Sequence, residues 1–214
     1  GSKTMTEMVA LANTTGLQLS KRGMYGPASS VKTLQNTFAL QADGGVLDRP
    51  GVVDYCTGDV APGVFVVVRH NDPYIAHEMS YLSMGPGPYF VLYRPYHLAS
   101  VEAPITVYRA ILDRESSLFA PHLTAEVVCM AKKNLAVGDT IDGIGGYTVR
   151  GYADNAQEAK QDNLVPIGLI AGAKIIKSIG VGELLTYDHV ELMADSLIVR
   201  LRKEQDALGL TYAS

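Results

Sequence analysis

The stretch that decides the fold is Tyr89-Phe90-Val91-Leu92-Tyr93-Arg94-Pro95-Tyr96-His97, which follows the turn residues Gly85-Pro86-Gly87-Pro88. The aromatic and β-branched run predicts a buried strand. It stops at Arg94-Pro95, because proline cannot donate to a ladder and holds the preceding residue extended. An arginine and a histidine thus follow an apolar strand, before a helix-like segment with Pro104 in its first turns. Such strand ends often carry functional sites; the alternative is a solvated arginine and a histidine capping the next helix.

Predicted helices and strands alternate over residues 5–118. Helical spacing is seen over residues 4–12, where Gly16 is expected to be the cap, and over residues 74–82. Ser29-Ser30 is typical of an N-cap for a short helix running toward Leu40. The run over residues 64–68 is the clearest buried strand in the chain. The alternation predicts a mixed α/β substrate domain, which we place at residues 3–120.

The second half contains an internal repeat with a period of about 45 residues. Residues 126–141 and 173–185 each combine a strand-like run, a basic residue and an apolar-x-x-Gly-Asp/Glu turn. With a polar insert at residues 154–163 and a last strand over residues 197–201, this half predicts a small all-β domain at residues 121–204. The expected fold class is therefore α+β.

A second cationic segment lies early in the chain. Lys21-Arg22 sits inside the loop Lys21-Arg22-Gly23-Met24-Tyr25-Gly26-Pro27. Clustered cations beside flexible glycines suit an anionic group such as a phosphate or carboxylate, which arginine can bind through two parallel hydrogen bonds. The alternative, common for Lys-Arg pairs, is a solvated turn.

Composition excludes several classes of protein. The 214 residues are 47% hydrophobic and 19% charged with a net charge of −4, which disfavours sequence-independent nucleic-acid binding. No run of 18 apolar residues exists, so no membrane span is expected. Cys56 and Cys129 fit no metal spacing and are typical of reduced thiols in a cytoplasmic protein. The five histidines show no ligand spacing, and no glycine fingerprint for a dinucleotide follows a predicted strand.

Taken together, several blocks resemble a known family. They are Asn13-Thr14-Thr15-Gly16, the Lys21–Pro27 loop, Asp43-Gly44-Gly45, Ala61-Pro62-Gly63-Val64-Phe65, Tyr81-Leu82-Ser83-Met84-Gly85 and Tyr93-Arg94-Pro95-Tyr96-His97-Leu98. They resemble homoserine-dehydrogenase-like oxidoreductases that end in a SAF domain, including enzymes similar to deoxyxylulose-phosphate reductoisomerase. Residues 125–202 resemble the SAF (β-clip) domain, through the Leu135-x-x-Gly138-Asp139 and Val165-Pro166-Ile167-Gly168-Leu169 patterns.

The resemblance implies an NAD- or NADP-dependent oxidoreductase acting on a small anionic hydroxy or keto compound. Members begin with a Rossmann domain that binds the nicotinamide cofactor, so we expect this chain to be the part after it, inactive alone and without a cofactor or metal of its own. We also expect a homo-oligomer. The rival hypothesis is a non-catalytic module for oligomerisation or for binding a sugar-like ligand.

The resemblance also implies roles for six residues. His97 and Lys21 are the expected catalytic residues, with His97 as a proton donor to a developing alkoxide. The expected substrate-binding residues are Arg22, Arg94, Tyr96 and Glu102. For Glu102 two roles stay open: orienting His97, or a carboxylate at a helix start.

Overall fold

The computed structural model describes residues 1–96 and 98–208. Its helices are α1 (Ser2–Thr15), α2 (Leu34–Thr37), α3 (Pro73–Tyr81), α4 (Ala99–Tyr108), α5 (Ala156–Gln161) and α6 (Leu197–Ala207). Its strands are β1 (Gln18–Leu19), β2 (Ala28–Ser30), β3 (Val52–Val53), β4 (Thr57–Asp59), β5 (Val64–Arg69), β6 (Tyr89–Arg94), β7 (Ala125–Ala131), β8 (Val149–Asn155), β9 (Lys174–Ile175) and β10 (Val190–Glu191). Short 3₁₀ turns cover Gln41–Asp43, Ile167–Leu169 and Tyr187–His189, and a π-helical turn covers Arg109–Asp113.

The strands form small pairs beside the helices, which confirms the α+β class. β1 with β3 and β2 with β4 are parallel, whereas β5 with β6, β7 with β8, and β9 with β10 are antiparallel. Among the described residues, no helix combines the length and the apolar character needed to cross a membrane.

The chain forms two compact units that interleave along the sequence. The first unit comprises Gly1–Met24, Gly51–Asp54 and the described residues of Ala120–Ser214. The second comprises Tyr25–Pro50 and Tyr55–Phe119. The sequence predicts two contiguous domains, at residues 3–120 and 121–204, which divide the chain differently. That division stays a prediction.

In the first unit, α1 packs its apolar stripe on the β7–β8 pair. Met5, Val9 and Ala12 are its buried residues, spaced four and three apart as one helical face requires. The helix ends at Gly16, whose φ of 76° is left-handed. Asn13 then accepts hydrogen bonds at 2.9 Å from the N–H groups of Thr124 and Ala125. The predicted helix over residues 4–12 is therefore confirmed and extends further at both ends.

The two copies of the internal repeat hydrogen-bond to each other. Leu135 and Ile179, at equivalent positions, exchange both backbone hydrogen bonds at 3.0 Å. In each turn the carboxylate accepts a hydrogen bond from the N–H three residues before it, at 2.9 Å for Asp139 and 2.7 Å for Glu183. The equivalent sequence positions thus have equivalent hydrogen-bonding roles.

The predicted last strand over residues 197–201 is wrong, because these residues begin α6. Val199 is buried, and Arg202 reaches Glu126 at 2.6 Å and Asp206 at 2.8 Å. The last contact joins residues four apart, the spacing that a helix brings together. Residues 197–201, taken alone, have the alternation of a strand. They are the first five residues of an eleven-residue helix, and the helical period is seen only over its whole length.

In the second unit, the β5–β6 pair covers a small core of Leu34, Phe38 and Val60. One sheet face packs on this core through Phe65, Val67, Val91 and Tyr93. The other face leaves Val64, Val66 and Leu92 about half exposed. The expectation of a buried strand over residues 64–68 is therefore wrong for one face, because a two-stranded sheet covered on one side buries only alternate residues.

Candidate functional site

The Lys-Arg loop of the first unit is fixed against β8 by Gly23. Its N–H donates to the carbonyl of Ala153 at 2.8 Å. Gly23 has a φ of +74°, and a Cβ there would lie 2.4 Å from the hydroxyl oxygen of Tyr152. A side chain would be strained both by the backbone and by this contact, so the loop needs glycine at this position.

Arg22 uses its guanidinium on carboxylates of its own unit. Nε lies 2.9 Å from Asp154 Oδ1, and Nη2 lies 2.6 Å from Asp154 Oδ2. Nη1 reaches Asp162 at 2.7 Å, and Glu158 is 3.6 Å from Nε. The Asp154 side chain is fully buried, whereas that of Arg22 is 39% exposed.

Burial and hydrogen bonding act in opposite directions on the pKa of Asp154, the partner of Arg22. Hydrogen bonding to Asp154 raises the pKa of Arg22, so the guanidinium stays charged. Burial raises the pKa of Asp154, and the hydrogen bonds from Arg22 oppose that rise. Arg22 is thus the counter-ion of a buried carboxylate, a bidentate arrangement that connects the loop to β8 and α5.

Sequence reasoning missed these acidic partners, although the chain carries a signal for them. Asp154, Glu158 and Asp162 recur at intervals of four residues. The three carboxylates lie at the end of β8, within α5 and directly after α5, and all three reach Arg22. An acidic row of this kind predicts a cationic partner, but nothing in the sequence says that it is Arg22, 132 residues from Asp154.

The Tyr-Arg-Pro-Tyr-His block lies in the second unit. β6 ends at Arg94, whose Nη2 bonds to the carboxylate of Glu102 in the first turn of α4. Tyr96 is 58% exposed, and His97 lies outside the described residues. Glu102 is thus a carboxylate at a helix start, one of the two roles left open by the sequence, and it also pairs with Arg94.

The predicted site residues fall in both units. Lys21 and Arg22 belong to the first unit, and Arg94, Tyr96 and Glu102 to the second. The structure brings Arg94 and Glu102 together. The sequence-based hypothesis that Lys21, Arg22, Arg94 and His97 line one pocket stays a prediction.

A polar cleft that sequence reasoning passed over lies in the second unit. It has a volume of about 390 Å³ and is lined by Ser30, Lys32, Asp59, Val60 and Tyr93, among others. Ser29-Ser30, predicted as an N-cap, instead ends β2. Residues 31–33 form a turn, and α2 covers only Leu34–Thr37.

The sequence predicts that neither Gly143–Gly146 nor Gly85–Pro88 binds a dinucleotide, and this stays a prediction. In the loop Gly143-Ile144-Gly145-Gly146, the neighbouring Asp142 carboxylate accepts from the N–H groups of Tyr147 and Thr148. Hydrogen bonds from the Thr148 side chain and these N–H groups lower the pKa of Asp142 to about 2. In Gly85-Pro86-Gly87-Pro88 the prolines remove N–H groups that a diphosphate would need.

Comparison with a family model supports an oxidoreductase-type function for the first 103 residues. The family model matched is described as Oxidoreductase DRL, catalytic domain, and it covers residues 1–103 of the 214. No curated protein matches the chain. All six predicted site residues, and those that line the polar cleft, lie in the matched segment.

Proposed function

We propose that this chain is the substrate-binding and SAF-like portion of an NAD- or NADP-dependent oxidoreductase that acts on a small anionic hydroxy or keto compound. Homoserine-like molecules and sugar phosphates are the substrate classes that the resemblance implies. The observation that carries the proposal is the match of residues 1–103 to an oxidoreductase catalytic domain.

Within this proposal, His97 is the proton donor to the substrate oxygen, Lys21 is a further catalytic residue that meets an anionic group of the substrate, and Tyr96 contacts the substrate. His97 suits the task because its reference pKa of about 6.5 lets it exchange protons near neutral pH. For Arg22, Arg94 and Glu102, the ion pairs within each unit favour a supporting role over direct substrate contact.

The cofactor and partners are part of the same proposal. The nicotinamide cofactor is bound by a Rossmann domain supplied in addition to this chain, as the resemblance implies. The protein is a cytoplasmic homo-oligomer and does not bind nucleic acid.

The test is turnover by the full-length gene product that contains this sequence. We expect it to oxidise NADH or NADPH with at least one member of a panel of aldehyde precursors of homoserine-like compounds, keto acids and phosphorylated ketoses. His97→Ala should lower kcat by about 10²–10⁴-fold with little change in KM, as loss of a proton donor does. The matched control is His77→Ala, because His77 is an exposed histidine of α3 in the same unit.

The outcomes separate the two classes of function. Folded full-length protein that oxidises neither nicotinamide with any panel member would contradict the proposal. Saturable ligand binding without turnover would favour the rival, a non-catalytic binding module.

A further inference from the structure

We propose that the polar cleft at the ends of β2 and β4 binds the substrate, taking its anionic group on Lys32 and Ser30 and a hydroxyl group on Asp59. This inference rests on the proposed function, since it names where the small anionic compound would be held. The ligand class is a small hydroxylated anion, either a phosphate ester of a polyol or a hydroxy carboxylate.

The first support is the place of the cleft in the fold. β2 and β4 are parallel, with Ser29 opposite Gly58 and Ser30 opposite Asp59. Both strands therefore deliver their carboxyl ends to one edge, and the residues that follow those ends line the cleft. In open α/β sheets, ligands bind in crevices outside the carboxyl ends of parallel strands, and the two-stranded β2–β4 pair has a similar local arrangement. The volume of about 390 Å³ lies within the range of small-molecule sites.

The second support is that the polar edge of the cleft is held in place. Thr33 Oγ1 accepts a hydrogen bond from the N–H of Ser30 at 3.1 Å and lies 2.9 Å from Ser30 Oγ. Ser29 Oγ lies 2.9 Å from Thr37 Oγ1, which ties the end of β2 to α2. These contacts fix the turn that presents Ser30 and Lys32, so little backbone freedom is lost there when a ligand binds.

The apolar wall is fixed by Tyr93. Its hydroxyl donates to the carbonyl of Val60 at 2.9 Å. A Cβ at Gly63 would lie 2.5 Å from the Tyr93 ring, so the ring lies against bare backbone. The ring and Val60 give the cleft a surface for a short carbon chain.

The third support is charge. Arg22 and Arg94 are both neutralised by carboxylates, whereas Lys32 takes part in none of the ion pairs found within residues 1–96 and 98–208. The same holds for Asp59, on the facing strand end. An ammonium and a carboxylate that line one cleft without pairing suit a ligand with an anionic end and a hydroxyl group, because each end meets a complementary partner.

The test is a titration of the isotopically labelled chain followed by amide resonances in two-dimensional NMR. The probes are glycerol 3-phosphate, glycerate, inorganic phosphate and glycerol. We expect saturable shifts at residues 30–33 and 59–61 with one of the first two probes, and at least tenfold weaker binding of inorganic phosphate and glycerol. The stronger of the first two probes identifies the anionic group as phosphate or carboxylate.

Two variants test the assigned contacts. Lys32→Gln should weaken binding of the preferred probe by about tenfold or more, since a hydrogen bond to a charged group is lost. Asp59→Asn should reduce the preference for whichever of glycerol 3-phosphate and glycerate binds more strongly, measured relative to inorganic phosphate. Lys133→Gln is the matched control, because Lys133 is an exposed lysine of the other unit. Both cleft side chains are exposed, so the variants should keep the wild-type circular dichroism spectrum.

The result distinguishes this inference from the proposed function, because the titration needs neither cofactor nor turnover. Unchanged affinity in Lys32→Gln, or shifts confined to other residues, would overturn the inference even if the full-length protein is an active oxidoreductase. Binding at the cleft in a full-length protein without turnover would instead support the cleft and contradict the oxidoreductase proposal.

Discussion

Replacing Arg22 by alanine should destabilise the first unit by about 3 kcal/mol. Removing one partner of a buried ion pair costs about 3–5 kcal/mol, because the remaining charge is left without compensation. Here that charge is the fully buried carboxylate of Asp154. The lower end of the range applies because the Arg22 side chain is 39% exposed and its outer partners, Glu158 and Asp162, are about half exposed.

The loss of stability in Arg22→Ala should grow as pH rises. Burial already raises the folded-state pKa of Asp154 above its ordinary value, and the hydrogen bonds from Arg22 limit that rise. Without Arg22 the folded-state pKa rises further, so folded protein binds the proton more tightly than unfolded protein does. Stability then falls as pH rises through the folded-state pKa. The difference between Arg22→Ala and wild type should therefore be smaller at about pH 5 than at about pH 8.

The assay is urea denaturation combined with hydrogen exchange at the amides of β7 and β8, which report on the first unit. A loss of about 3 kcal/mol corresponds to a fall in Tm of roughly 6–12 °C for a chain of this length. Arg150→Ala is the matched control: Arg150 is an exposed arginine of β8 whose Nη2 lies 2.8 Å from the Met130 sulfur. Its loss should cost less than about 0.5 kcal/mol. An equal effect of the two substitutions, or a cost independent of pH, would refute the assignment.

Three further predictions test other parts of the molecule. Gly23→Ala should destabilise the first unit by about 1–2 kcal/mol or more in urea denaturation, from its left-handed φ and its contact with Tyr152; wild-type stability would show that the loop adapts. The chain should self-associate in light scattering through the exposed apolar residues of α4 and the turn after it, such as Ile105 and Ile111, and Ile105→Glu should weaken that association; a strict monomer at high concentration would count against it. Calorimetry should detect no tight NADPH binding to this chain, and low-micromolar affinity would be the contrary result.

The parts of the fold that the sequence predicts are those set by local periodicity. The buried positions of α1 recur at helical spacing, and Gly16 ends it where a left-handed residue is needed. The internal repeat in the second half predicts equivalent turns, because each copy has a glycine followed by an acidic residue. Both carboxylates then accept from the N–H three residues earlier.

The errors come from context that local patterns do not contain. A run of β-branched residues over residues 64–68 predicts burial, but burial depends on whether both sheet faces are covered. In the β5–β6 pair one face is packed and Val66 on the other is 54% exposed. In the same way, residues 197–201 are apolar enough for a strand, and only the continuation through Arg202 to Ala207 shows that the helical period holds.

The sequence marks Arg22 and Arg94 as candidate site residues but does not give their partners. Their role in a site stays a prediction, whereas the structure shows that each forms an ion pair. Which charge it faces is decided by tertiary structure: Glu102 for Arg94, and Asp154 for Arg22. Lys32 carries no such partner in the described chain, yet it stands out only once β2 and β4 are known to be parallel neighbours.

The distinction between a structural arginine and a substrate-binding arginine can be drawn from one pair of measurements. If Arg22 stabilises the loop against β8, Arg22→Ala lowers stability whether or not substrate is present, and KM changes only as far as the loop is displaced. If Arg22 instead binds substrate directly, KM rises and stability without substrate is nearly unchanged. Arg22→Lys sharpens the comparison, because lysine keeps the charge and loses the bidentate geometry toward Asp154. With Asp154 fully buried and bonded through two guanidinium nitrogens, we expect the first pattern, with Arg22→Lys intermediate in stability.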